Sequence, residues 1–130
     1  MPSLSQSLEF TINTSTTVAI TYPNTATQML TYFSERAKGD GYYGSSDGFH
    51  TVCYTAADTF IGTITMQASL ASEPASSDWF NVSNTTLTYT QFDTRTTSTV
   101  DYYNFTGNFV WVRGKVEIEQ GTVEVIHYNH

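Results

Sequence analysis

Scarcity bounds this 130-residue chain more tightly than any motif does: it has one cysteine, three prolines, three histidines, and only five lysines and arginines together. With Cys53 alone, no internal disulfide can form and no cysteine cluster can hold zinc or an iron–sulfur centre; in HTVCYT the residue reads as a small apolar strand residue. Five basic residues against twelve acidic ones leave a formal charge of −7, too little positive charge to neutralise phosphates, so nucleic acid is excluded as a partner. Arg113 and Lys115 stand beside Glu117 and Glu119, which reads as local cancellation of the best basic pair. No apolar run approaches the ~20 residues of a membrane span, and MPSLSQSLEF has neither a basic head nor a long apolar segment. The expectation is a soluble, unsecreted chain with no membrane partner. Ala, Leu, Lys and Glu are too scarce for a helical bundle.

What is abundant is threonine, the commonest residue, and aromatics at 15%, a balance that suits exposed β-surface. Strand-like alternation is clearest in SLEFTIN (7–13), in FHTVCYTA and TFIGTITMQASL around an Ala57-Asp58 turn, and in the final stretch from Asn108 to Asn129. There Val110, Val112, Val116 and Ile118 share one parity; Gln120-Gly121 supplies a tight reversal, and Val123 and Val125 continue an apolar parity. This predicts a β-hairpin forming one wall of the core. Ile61, Ile64, Met66 and Leu70 are further expected core residues, with Gly62 marking a bulge. Residues 24–38 fit either a helix face or a strand carrying Met29, Thr31 and Phe33; the surrounding composition favours a strand with a loop. The whole predicts one domain over 1–130: an all-β, antiparallel, jelly-roll-like sandwich of about eight to ten short strands.

Chemistry is sparse. His50, His127 and His130 are the histidines, and HYNH at the end lacks a third ligand nearby in sequence, so neither a metal nor a catalytic site is expected there. Asp40 and Asp47 in GDGYYGSSDGFH do not follow the order of a calcium loop and read as a solvated turn; the glycines there are not spaced to cradle phosphate. Asn-x-Ser/Thr triplets at Asn13, Asn81, Asn84 and Asn104 follow from the threonine content and carry no glycosylation weight. No cofactor is expected. Three aromatic pairs remain: Tyr42-Tyr43, Trp79-Phe80 and Tyr102-Tyr103. Neighbours on a strand point opposite ways, so one of each pair is expected outside. Tyr42, Tyr43, Asp47, Trp79, Phe80 and Tyr102 are therefore the candidate contact residues. They suit a protein interface or a glycan, with Tyr42, Tyr43 and Trp79 stacking on sugar rings while Asp40 and Asp47 bind hydroxyls.

GTITMQASLASEPASSDWFNV and the later TGNFVWVRGKVEIEQGTVEVIHYN together resemble the small β-sandwich structural proteins of tailed bacteriophages, especially marine cyanophage-like viruses. The positions that carry the resemblance are Gln67, Ser69, Asp78, Trp79 and Phe80, then Gly107, Phe109, Trp111, Arg113, Gly121, Thr122 and Val123. It covers the C-terminal two thirds, and residues 1 to about 38 take no part. The resemblance implies a virion protein without enzymatic activity that decorates or reinforces the particle, partnered by itself and another virion protein. Homo-oligomerisation is expected through the 39–50 loop, the N-terminal residues and unprotected threonine-rich edges such as TLTYTQF, with the trimer common among viral decoration proteins as its form. The alternative is a carbohydrate-binding or host-adhesion sandwich on a phage tail or fibre.

Overall fold

Wherever apolar and polar residues alternate the backbone is extended, and the computed structural model, which describes residues 5–12, 14–23, 26–43, 48–90 and 97–130, contains thirteen strands among them, numbered here in chain order. One antiparallel sheet joins β1 (Ser5–Ser7), β13 (Thr122–Asn129), β7 (Phe49–Ala56) and β11 (Thr99–Thr106) in that order, with β4 (Ile20–Thr21) also on β13. The second joins β10 (Leu87–Tyr89), β8 (Ile61–Ser69), β12 (Trp111–Gln120) and β5 (Leu30–Phe33). Here β9 (Phe80–Asn81) also pairs with β8, and β6 (Ala37–Lys38) with β12. A small ribbon of β2 (Phe10–Ile12) and β3 (Ser15–Thr17) completes the set. The result is an all-β antiparallel sandwich whose chain keeps crossing between sheets, as in a jelly roll.

The final stretch is not a hairpin. β12 and β13 belong to different sheets and do not pair; the turn at Gly121 carries the chain from one sheet to the other. The turn after β7 does the same for β7 and β8. The two arches stack: β13 pairs with β7, β12 with β8, and the Ala57 amide donates to the Thr122 carbonyl at 2.9 Å. Gly121 makes the stacking possible. Its φ is +83°, and a Cβ there would fall 2.4 Å from the Thr59 carbonyl carbon. A side chain would strain the left-handed backbone and strike main chain that cannot swing away.

Parity also breaks within β13. The register shifts between Val123 and Val125, so Val123 is buried, Val125 is only half-buried, and Ile126 and Tyr128 take the core positions instead. The bulge expected at Gly62 lies opposite it, where Ile118 and Gln120 of β12 meet Gly62 and Ile61. The core fills with Phe10, Ile20, Tyr54, Phe60, Ile64, Met66, Val112, Val116, Ile118, Ile126 and Tyr128. Leu70 is exposed rather than core, and Ile61 is half-buried. Residues 30–33 and 37–38 are strands, as the composition favoured, but Leu30 and Tyr32 face the core while Met29 and Phe33 face out. The N-terminal segment is divided: β1 and β4 join β13, and only β2 and β3 pair with each other.

Gly121→Ala is expected to destabilise the domain by about 2–3 kcal/mol, lowering Tm on the order of 10 °C. Thermal and denaturant unfolding would register this; an unchanged midpoint would mean the arch contact does not constrain the fold.

Candidate functional site

The end of β11, the edge strand of the first sheet, and the start of β7 beside it border the first sheet, while β9 and the turn after it border the second. Between these edges lies an open cleft of about 700 Å³. Ladder pairs Phe49↔Thr106 and Thr51↔Asn104 build one wall, and Phe80, Asn81, Val82, Ser83 and Asn84 the other. Asn84 has φ 63°, a left-handed turn position that asparagine tolerates better than most residues. Gly107 allows the third side. A Cβ at this residue would overlap the Phe109 ring, so glycine lets that ring fold back against Phe105 and Phe80.

The cleft is therefore aromatic with a polar rim. Phe49 is 63% exposed and Phe80 41%, whereas Phe105 is buried behind them. Thr51 Oγ1 donates to Asn104 Oδ1 at 2.7 Å, which leaves the Asn104 amide nitrogen without a side-chain or backbone acceptor among the described residues. The Asn84 amide and Ser83 hydroxyl are likewise unengaged there. Of the twelve lining residues the titratable one is His50. Its Nε2 lies 2.6 Å from the Gly107 carbonyl, which can only accept, so that nitrogen carries hydrogen and Nδ1, 2.8 Å from Tyr128 Oη, accepts from the phenol when the ring is neutral. The ring is buried and stacked on Phe105 at 4.8 Å. Both nitrogens are spoken for, so His50 braces the floor.

Behind it lies a second polar pair, of buried Asp40 and half-buried His130. The His130 Nδ1–H donates to Asp40 Oδ1 at 2.8 Å, and the Gly48 amide donates to Asp40 Oδ2 at 2.7 Å. This corrects the reading of Asp40 as a solvated turn residue, and removes it from the residues able to bind a ligand hydroxyl: its side chain is 1% exposed. Burial disfavours the Asp40 carboxylate, yet the bonds from His130 and Gly48 and the nearby His50 and His130 rings hold its pKa below the ordinary value. His130, whose HYNH context shows no further ligand nearby in sequence, thus pairs with a residue of the glycine-rich segment.

Of the six nominated contact residues, Tyr42, Trp79, Phe80 and Tyr102 do not form one site. Phe80 lines the cleft. Trp79 faces the opposite way, onto the outer face of the second sheet, where its ring covers the Arg113 guanidinium. Tyr42 lies on that face too, against Lys38 and Trp111. A cation lies over one face of each of these two rings, Trp79 and Tyr42. Tyr43 ends a 3-10 turn spanning Asp40–Tyr43, and Asp47 lies outside the described residues. Tyr102 stands 69% exposed on the outer face of the first sheet, cross-strand from Cys53. Cys53 itself is half-buried on that outer face, not in the core, and burial with the Asp101 charge raises its thiol pKa. Sequence reasoning missed Phe49, Asn104, Phe105 and Phe109. A usable signal existed: three of the four Asn-x-Ser/Thr triplets place Asn81, Ser83, Asn84, Asn104 and Thr106 around this one cleft.

No protein-family model matches the chain, and no curated protein matches it. Among solved structures it is similar to a carbohydrate-binding module of Cellvibrio mixtus lichenase 5A in complex with cellotriose, at 15% identity and a TM-score of 0.43, over 97% of this chain and 86% of that one. Similarity at that level assigns neither ligand nor site.

Because the Asp40 pKa is depressed on folding, its contribution to stability is complete above the unfolded value near 3.8 and is lost as pH falls through the folded value. Asp40→Asn should thus unfold at lower denaturant than wild type at about pH 7, with the gap closing below about pH 4. Equilibrium unfolding across that range is the check; a gap independent of pH would contradict the ion-pair account.

Proposed function

We propose that this domain is a non-enzymatic carbohydrate-binding module, serving host adhesion on a phage tail or fibre. The observation that carries the reading is the cleft: exposed Phe49 and Phe80 beside unengaged amide and hydroxyl groups, with no carboxylate among its lining residues. A sugar ring presents an apolar C–H face and a rim of hydroxyls. Aromatic faces receive the first and asparagine, with both donor and acceptor, the second. A hydrolytic reading has less support, since His50 has no nitrogen to offer and no acid lines the cleft to work beside it.

A different observation favours a second reading, in which the domain is a structural virion component that associates with itself and with another particle protein. β7 and β11 place no charged side chain on the outer face of the first sheet: Asp101 is turned inward to Tyr89, and exposed Val100 and Tyr102 lie beside Thr51, Cys53 and Thr55. β11 ends its sheet with an unpaired edge. Analytical ultracentrifugation at micromolar concentration is expected to show a homo-oligomer, a trimer on this reading. A monomer, together with absence of the chain from purified particles by mass spectrometry, would remove it.

For the first reading, a glycan array followed by titration calorimetry is expected to find a ligand whose affinity falls about tenfold in Phe80→Ala, near 1.4 kcal/mol, and is unchanged in Tyr102→Ser. No binding across the array, or equal loss in both variants, would contradict it.

A further inference from the structure

The outer face of the second sheet concentrates the positive charge of an otherwise acidic molecule. The chain has five basic residues, and the four that are described, Arg36, Lys38, Arg113 and Lys115, all lie there. Three of them lie over aromatic rings: Arg36 over Trp111 at 4.1 Å, Lys38 over Tyr42 at 4.7 Å, and Arg113 over both Phe33 at 4.1 Å and Trp79 at 4.2 Å. Arg36 and Lys115 have carboxylate partners in Glu73 and Glu117. Arg113 has none within 4 Å among the described residues, so the cancellation expected from the sequence does not reach it.

Arg113 is also the best positioned of the four. Rings clasp its planar group, and its Nε donates to Gln67 Oε1 at 2.9 Å. The four terminal N–H donors have no acceptor among the described residues, and they project in the guanidinium plane while Phe33 and Trp79 pack against the group. In that plane a planar carboxylate approaches an arginine fork. A half-buried cation without a counter-charge is unfavourable by itself, which favours an anion completing the arrangement. Burial lowers the Arg113 pKa, though an arginine remains charged.

Position ties this group to the cleft. Gln67 Nε2 donates to Asn81 Oδ1 at 3.0 Å, so Arg113, Gln67 and the cleft residue Asn81 form one hydrogen-bonded row across β12, β8 and β9. Three adjacent strands put Arg113 roughly 10 Å from Asn81, a reach for a short oligosaccharide but not a single sugar. Trp79 and Phe80 straddle the same edge, one above Arg113 and one in the cleft.

We propose that the glycan bound by the cleft is acidic, and that it passes over β9 to place a uronate carboxylate on the in-plane donors of Arg113. This rests on the carbohydrate-binding reading and specifies its ligand class. The net charge of −7 disfavours a long polyanion, while a carboxylate on an otherwise neutral segment meets only the local positive face, since charges more than about 8 Å away are screened at physiological salt.

The test is calorimetry on the whole chain with matched hexaoses, all-galactose against the same chain carrying one galacturonate and all-glucose against the same chain carrying one glucuronate, at low and physiological salt. At least one uronate is expected to bind about tenfold or more tightly than its neutral counterpart, with an advantage that shrinks as salt rises. Arg113→Gln should abolish the advantage and leave neutral binding unchanged; Arg113→Lys, which keeps charge but not the fork, should retain part of it. The wild-type ratio alone decides the matter if either variant folds poorly. Equal binding of acid and neutral partners overturns the inference and leaves the cleft reading standing, whereas no binding by any hexaose, cleft variants included, overturns both. Capture of poly-glutamate or a single-stranded oligonucleotide through Arg113 in place of uronate also overturns it.

Discussion

The close approach of Gly121 to the Thr59–Phe60 backbone is the constraint on which the sandwich depends. It joins two cross-sheet turns at one end, and so sets β13 against β7 in one layer and β12 against β8 in the other. Ile118, Ile64, Val123 and Ile126 can then fill the gap between layers with no charge and no large polar group among them. The shorter strands attach to this frame as edges. Burial of Tyr54 beneath them is accommodated because its hydroxyl reaches the Thr85 carbonyl at 2.7 Å, while Thr85 Oγ1 in turn serves Val82 and Met66. That set of bonds holds the 82–86 turn, and with it Ser83 and Asn84, against the edge of the second sheet.

The other end of the sandwich is organised by polar contacts rather than by packing alone. His50, Tyr128, His130 and Asp40 connect β7, β13, the chain end and the glycine-rich turn, and Gly107 closes the set through the His50 Nε2–H. These groups lie behind the aromatic wall, so the cleft rests on a braced floor instead of a loop of its own. One rim comes from the β7–β11 ladder at the edge of the first sheet and the other from β9 and the turn after it. The cationic row on the second sheet starts one strand away, at Gln67.

Strand content was legible because the chain is threonine-rich and alternates; Val112, Val116 and Ile118 sit on the parity their spacing implied. The pairing of β12 was not. Whether a Gly turn returns a strand to its neighbour or throws it across the core depends on what waits at Thr59, sixty residues upstream, and no local pattern carries that. The Val125 parity failed because a one-residue bulge reverses every side chain after it. Asp40 looked like a turn residue for a similar reason: its partner is the last residue of the chain. The alternation argument did hold for Tyr102 and Tyr103, one exposed and one packed on the core, and for Trp79 and Phe80, which face opposite sides. What it could not supply was that Phe80 would meet Phe49, Phe105 and Phe109, brought from three separate segments.

The account's central claim is that ligand recognition belongs to the cleft between the sheet edges. Mapping backbone amide shifts by NMR during titration with a glycan that the array identifies tests it most directly. The expected result is a set of perturbations confined to residues 49–51, 80–84 and 104–109, with an extension to residues 67 and 113 for a uronate. Perturbations centred on Tyr42 or Tyr102, with residues 80–84 unmoved, would contradict it.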